Sequence, residues 1–131
     1  MPHQNNRKRG DLGERLAYKF LQQKGFEIID TNVHLGKYSE LDIIAIQNDV
    51  LHIIEVKTRI VCGYPGENPE FPVYNVTKRK LSHIMKGAEI YIQSRNMTNL
   101  DVTVDVVGVV VDKMLKKAWI QLFPNVLEGV D

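Results

Sequence analysis

Two dense apolar runs limit what this chain can fold into: "ELDIIAI" at residues 40–46 and "VLHIIEV" at 50–56, with Asn48 and Asp49 between them. Bulky, mostly β-branched residues make both runs strands, and the short polar break between them makes an antiparallel hairpin. Strand side chains alternate faces. A turn at Asn48-Asp49 therefore sets Asp42 opposite Glu55 and Glu40 opposite Lys57, all on one face. The rest of that face is Ile44, Ile46, Leu51 and Ile53. Directly opposed carboxylates repel unless one takes a proton or a cation sits between them. The fold thus carries a charge problem at one end of a greasy surface.

The donor set points to a class of answer. Cys62 is the only cysteine, so the chain has neither an internal disulfide nor a cysteine-based zinc site. His3, His34, His52 and His83 lack ligand spacing, and His52 falls on the face opposite Glu55, as a core or rim residue. Oxygen-only ligands favour a hard cation, Mg²⁺ or Mn²⁺. A lysine beside such a cation suits phosphodiester hydrolysis, because it can hold a water or steady charge on a phosphoryl group. The bland alternatives are a rim ion pair between Glu40 and Lys57 and a capping role for Glu14.

Length and a hydrophobic content of 44% suit one compact domain. A formal charge of +1 does not select a polyanion partner, but Arg7-Lys8-Arg9 and Lys78-Arg79-Lys80 are local basic clusters. The first residues lack a signal peptide's apolar stretch, and the longest apolar run, Val106 to Val111, is too short for a membrane span. These features predict a soluble, cytoplasmic protein with no membrane contact.

Residues 1–9 read as a flexible basic tail and 10–131 as the single domain. Helical spacing at Leu12, Leu16, Ala17, Phe20 and Leu21 predicts a first helix, with Asp11 as N-cap, Glu14 completing a capping box, and Gly25 as the stop. A strand "FEIIDTNV" and a loop "HLGKYS" precede the hairpin. Residues 60–73, with Gly63, Pro65, Gly66, Pro69 and Pro72, read as a long functional or mobile loop. A second helix follows through Leu81, Ile84, Met85, Ala88 and Ile92, capped by Asn75 or Thr77. The strand "DVTVDVVGVVVD" and a short strand "AWIQLF" close the chain. The order predicts an α/β layer fold, a mixed central sheet flanked by helices.

"SELDIIA" followed by "IIEVKTR" resembles the PD-(D/E)XK nuclease superfamily, with Leu41 at the usual proline position. With "GDLGERLAYKFLQQKGFEIIDTNV", "VTKRKLSHIMKGAEIYI" and "VDVVGV" in order, residues 9–123 resemble the YraN-type family of small bacterial proteins. These are regarded as predicted endonucleases related in fold to Holliday-junction resolvases. The resemblance implies a restriction-endonuclease-like αβββαβ core and a catalytic set of Glu14, Asp42, Glu55 and Lys57. Asp42 and Glu55, joined by the Val56 carbonyl, are the expected metal ligands for Mg²⁺ or Mn²⁺. Lys80 and Arg7, Lys8 and Arg9 are the expected nucleic-acid contacts, and Asp105 matches a family aspartate of unassigned role. The implied partner is nucleic acid, DNA above all, with a homodimer and branched substrates by analogy. Ser39 in place of the usual glycine and Thr103-Val104 in place of an Arg-Phe pair depart from the pattern without removing a ligand. The rival readings are a non-catalytic DNA-binding or adaptor protein retaining a nuclease fold, and a protein–protein module.

Overall fold

A computed structural model describes residues 2–37, 39–72 and 76–127, with side chains from Asp11 onward. Helix α1 spans Pro2–Gln23, strands β1 to β3 are Glu27–Leu35, Ser39–Gln47 and Val50–Val61, helix α2 is Lys78–Ser94, and strands β4 and β5 are Asp101–Asp112 and Lys117–Phe123. This is the expected αβββαβ order with one further strand. The five strands form one sheet in sequence order, antiparallel except for the parallel β3–β4 pair. A parallel pair needs a crossover, and α2 supplies it.

The β2–β3 hairpin has the expected register, from Gln47↔Val50 to Ile43↔Ile54. Asn48 (φ 53°) and Asp49 (φ 62°) are both left-handed, as a two-residue type I′ turn requires. Each sheet face is covered differently. Ala17 and Leu21 of α1 bury one face with Ile43, Ala45, Ile54, Val107 and Val109. Leu81, Ile84, Ala88 and Tyr91 of α2 bury the other with Ile44, Leu51, Ile53 and Val104.

Two close approaches set the helix heights. A Cβ on Gly13 of α1 would overlap Thr58 Oγ1 of β3, and a Cβ on Gly87 of α2 would lie 2.6 Å from Ser39 Cβ of β2. The helices therefore rest directly on the strands, one on each face, near the end where Asp42 and Glu55 emerge.

Several local expectations change. Helix α1 begins at Pro2, so Asp11 lies inside it rather than capping it. The side chains of Arg7, Lys8 and Arg9 lie outside the described residues. Gly25 (φ 88°) does end the helix, with the Phe26 N–H donating to Leu21 O. His34 and Leu35 extend β1 and pair with Glu40 and Ser39, so among the described residues of "HLGKYS" only Gly36 and Lys37 form the turn. Thr77 caps α2 by accepting from the Lys80 N–H; Asn75 lies outside the described residues.

The segment after β3 is a cover, because α2 leaves the β4–β5 part of its face open. Phe71 packs edge-on against Phe123 and over Gly108, and Tyr64 packs edge-on against Trp119. Arg59 donates to Glu70 O, and the N–H groups of Gly63 and Tyr64 donate to the buried Asp112 carboxylate. These contacts tie the loop down from Gly63 to Phe71.

Gly13 yields a test of the helix placement. Alanine is ordinarily the better helix former by about 1 kcal/mol, but overpacking costs about 1–3 kcal/mol. The contact with Thr58 decides the sign. Gly13→Ala will unfold at lower temperature than the parent, and adding Thr58→Ala, which removes the clashing hydroxyl, will recover part of the loss in thermal melts.

Candidate active site

The β2–β3 ladder stops at Ile43↔Ile54, one step short of Asp42 and Glu55. Both strands continue, but they part there. Leu41 packs with the α2 core and Ile43 with the α1 core, so the alternation of β2 breaks at Asp42. On the neighbouring β1, Asn32 is left-handed (φ 51°). Asparagine tolerates that conformation better than most residues.

The break puts Asp42 between two cavities. One, of about 400 Å³, opens toward α2 and is lined by Glu40, Asp42, Glu55, Val56, Lys80 and His83. The other, of about 800 Å³, opens toward α1 and includes Glu14 with Asp42. The Val56 N–H donates to Asp42 Oδ2 at 2.8 Å and fixes that carboxylate.

Glu55 is the most perturbed group. It is 4% exposed, and its Oε1 is buried without a hydrogen-bond partner. Burial, then the charge and contact of Asp42, raise its pKa to about 9, with Lys80 and Lys57 pulling back only in part. Glu14 is also raised, first by burial and then by Asp42, with Asn32, Asp11 and Glu40 as lesser influences. Lys57 is lowered, by burial first and then by Lys80 within hydrogen-bonding reach; Glu55 and Asp42 oppose the shift. Two crowded lysines therefore face crowded carboxylates.

The expected residues divide accordingly. Glu14, Asp42, Glu55, Lys57 and Lys80 come together from α1, β2, β3 and α2. Lys80 is half-buried, whereas Lys78 and Arg79 are exposed. Three cations in the first turn of α2 oppose the helix dipole, at about 0.3–1 kcal/mol each, so local helix energetics do not account for them. Glu40 does not pair with Lys57: its Oε1 lies 3.6 Å from His34 Nε2 on β1, the strand beside it. Asp105 stays away from the site, joined to His52 Nδ1, Thr103 Oγ1 and the Asn125 N–H. His52 packs edge-on against Phe26 on the α1 face, as a core histidine.

Asn32 and Tyr18 also line or support these cavities and escape the sequence reading, while His83, set aside there for lack of ligand spacing, lines the α2-side cavity. His83 follows Lys80 by three residues, and that helical spacing is the one signal that could have found it.

Among the described residues no three Asp, Glu, His or Cys groups close around a metal position. The arrangement is instead a two-carboxylate opening with lysines beside it. Its chemistry suits a hydrated hard cation, which takes one or two carboxylates and keeps several waters. The orphaned Glu55 oxygen fits such an ion.

The model of one protein family, described as "Uncharacterised protein family UPF0102", matches residues 13–109. The chain belongs to that family. UPF0102 proteins of similar sequence include that of Aliarcobacter butzleri, 37% identical over 109 residues (83% of this chain and 92% of the relative). That of Dehalococcoides mccartyi is 34% identical over 123 residues, covering 94% of this chain and 95% of the relative. The YraN-type resemblance is thereby upheld. The UPF0102 match takes in Glu14, Asp42, Glu55, Lys57 and Lys80 and leaves out β5. Among the described residues no helix is long and apolar enough to cross a membrane.

The raised Glu55 pKa sets a pH dependence. A carboxyl whose folded pKa exceeds its ordinary value of 4.5 contributes stability at low pH that is lost as pH rises toward about 9. In EDTA the melting temperature will carry a downward component across that window. Glu55→Gln, which mimics the protonated group, will flatten it, as melts from pH 5 to 9 will reveal.

Proposed function

We propose that this UPF0102 protein is a metal-dependent nuclease that hydrolyses nucleic-acid phosphodiester bonds. The observation that carries the reading is the buried, unpartnered Glu55 oxygen facing Asp42, with Lys57 and Lys80 alongside. Two opposed carboxylates are costly in a metal-free protein, and a divalent cation removes that cost. Asp42 and Glu55 would hold Mg²⁺ or Mn²⁺, with Val56 serving through its N–H to orient Asp42 and its carbonyl as a further ligand. Bound there, the cation would polarise the phosphoryl group and acidify a coordinated water.

The chain's own residues supply the remainder. Lys57 and Lys80 meet the negative phosphoryl oxygens, and the lowered pKa of Lys57 suits it to exchange a proton with the attacking water. The water oxygen forms the new P–O bond, the bond to the leaving sugar oxygen breaks, and that oxygen takes up a proton. Glu14, on the other side of Asp42, keeps its proton to higher pH than an ordinary glutamate and completes the polar end of the site.

The test is cleavage of branched, nicked and single-stranded DNA by the full chain with Mn²⁺. Asp42→Ala and Glu55→Ala will each lower the rate by at least about 100-fold, and Lys57→Ala by about 100- to 1,000-fold. Undiminished cleavage by the Asp42 and Glu55 variants would sink the metal-site reading. Salt-dependent DNA binding that persists in EDTA, with no cleavage under any divalent metal, would favour the non-catalytic alternative.

A further inference from the structure

The larger cavity, between α1 and strands β1 and β2, is not needed to hold a cation or a scissile phosphate. Its volume of about 800 Å³ is twice that of the α2-side opening, and Asp42 lines both. Ligand pockets run from about 300 to 1,000 Å³, so the space suits a group the size of a nucleotide. Tyr18 lines it and is 36% exposed, one of the few large apolar side chains left open to solvent. Arg15 and Lys19 of α1 and Lys113 of the β4–β5 turn also line it, with Asp11 and Glu14 as its carboxylates beside Asp42. Among the described residues none of these three cations pairs with a carboxylate.

An aromatic face, unpaired cations and a hydrolytic end shared through Asp42 form a set that one ligand class satisfies. We propose that this cavity is a subsite for an unpaired nucleotide adjoining the cleaved phosphate, its base stacked on Tyr18 and its neighbouring phosphate held by Arg15, Lys19 and Lys113. Every base has a π face, so stacking on Tyr18 tolerates sequence. A base inside a duplex is stacked on both sides and cannot enter a concave pocket without leaving the helix. That step is easiest where the base is bulged, mismatched or already single-stranded. The cavity thus narrows the substrate of the nuclease reading, on which it rests, to nucleic acid carrying an unpaired nucleotide at the cut.

The experiment compares equilibrium binding of the full chain, in EDTA at low salt, to fluorescent hairpins with and without one bulged nucleotide. DNA and RNA versions form separate arms. The parent protein will prefer the bulged form in at least one arm. Tyr18→Ala will weaken binding of that form about 5- to 100-fold, the range that base–aromatic stacking supports. Tyr18→Phe, which keeps the ring, will restore the preference. Tyr18 is outside both buried core clusters, and matching thermal melts will establish that its variants are folded.

Equal affinity of the parent for bulged and perfect hairpins in both arms, or a preference untouched by Tyr18→Ala, overturns the subsite. Mn²⁺-dependent cleavage that requires Asp42, without any bulge preference, likewise overturns the subsite while leaving the nuclease reading intact. A Tyr18-dependent preference without Mn²⁺-dependent cleavage overturns the nuclease reading and the placement beside a cut, and leaves the cavity as an unpaired-nucleotide site of the non-catalytic alternative. Absence of binding to every hairpin overturns the subsite.

Discussion

The opposition of Asp42 and Glu55 is the constraint around which the other parts of the site are arranged. The two-residue turn at Asn48-Asp49 fixes the pairing as far as Ile43↔Ile54, and the next step along both strands brings Asp42 up to Glu55. The ladder yields at that point, ending at Ile43↔Ile54 while both strands continue. An ordinary sheet would pair those positions and bury apolar side chains there. Here the strands part, a backbone N–H turns to Asp42, and a glutamate oxygen is left without a partner.

Helix placement converts that local irregularity into a cleft with two sides. Gly13 lets α1 rest on Thr58, which brings the next residue, Glu14, into the electrostatic reach of Asp42. Gly87 lets α2 rest on Ser39, about two turns beyond Lys80 in the same helix, and so fixes the line along which Lys80 and His83 enter the opposite cavity. In both helices a residue without a side chain sits over the sheet while a side chain of the candidate site sits near it. Larger residues at either glycine would lift the helix, and the charges it carries would move with it.

What was legible in the sequence was what strand periodicity and turn chemistry control. The hairpin register followed from Asn48-Asp49, and with it the meeting of Asp42 and Glu55. Positions decided by tertiary packing were not legible. Nothing in the local pattern says that Glu40 turns to His34 on β1 instead of Lys57 on β3, because that depends on how the strands part. The glycine- and proline-rich segment after β3 read as mobile for a similar reason. Its anchors, Asp112, Gly108 and Phe123, lie about 40 to 50 residues away from the groups they hold and belong to strands it does not adjoin in sequence. Asn32 was hidden because a left-handed residue inside a strand leaves no periodic trace.

The three buried acids of the described core separate structure from function. Asp112 accepts four backbone N–H groups, from Gly63, Tyr64, Met114 and Leu115; burial pushes its pKa up, but those donors outweigh it and the net shift is downward. Asp105 is met by His52, Thr103 and the Asn125 N–H. Each of these carboxylates is surrounded by donors and holds chain segments together. Glu55 is buried to a similar degree, yet it meets another carboxylate, and one oxygen meets no donor. A fold able to satisfy two buried aspartates this completely has the means to satisfy a third acid. Leaving Glu55 short of donors, beside the Asp42 that two cavities share and with two lysines near, is the arrangement expected of a group whose partner comes from solution.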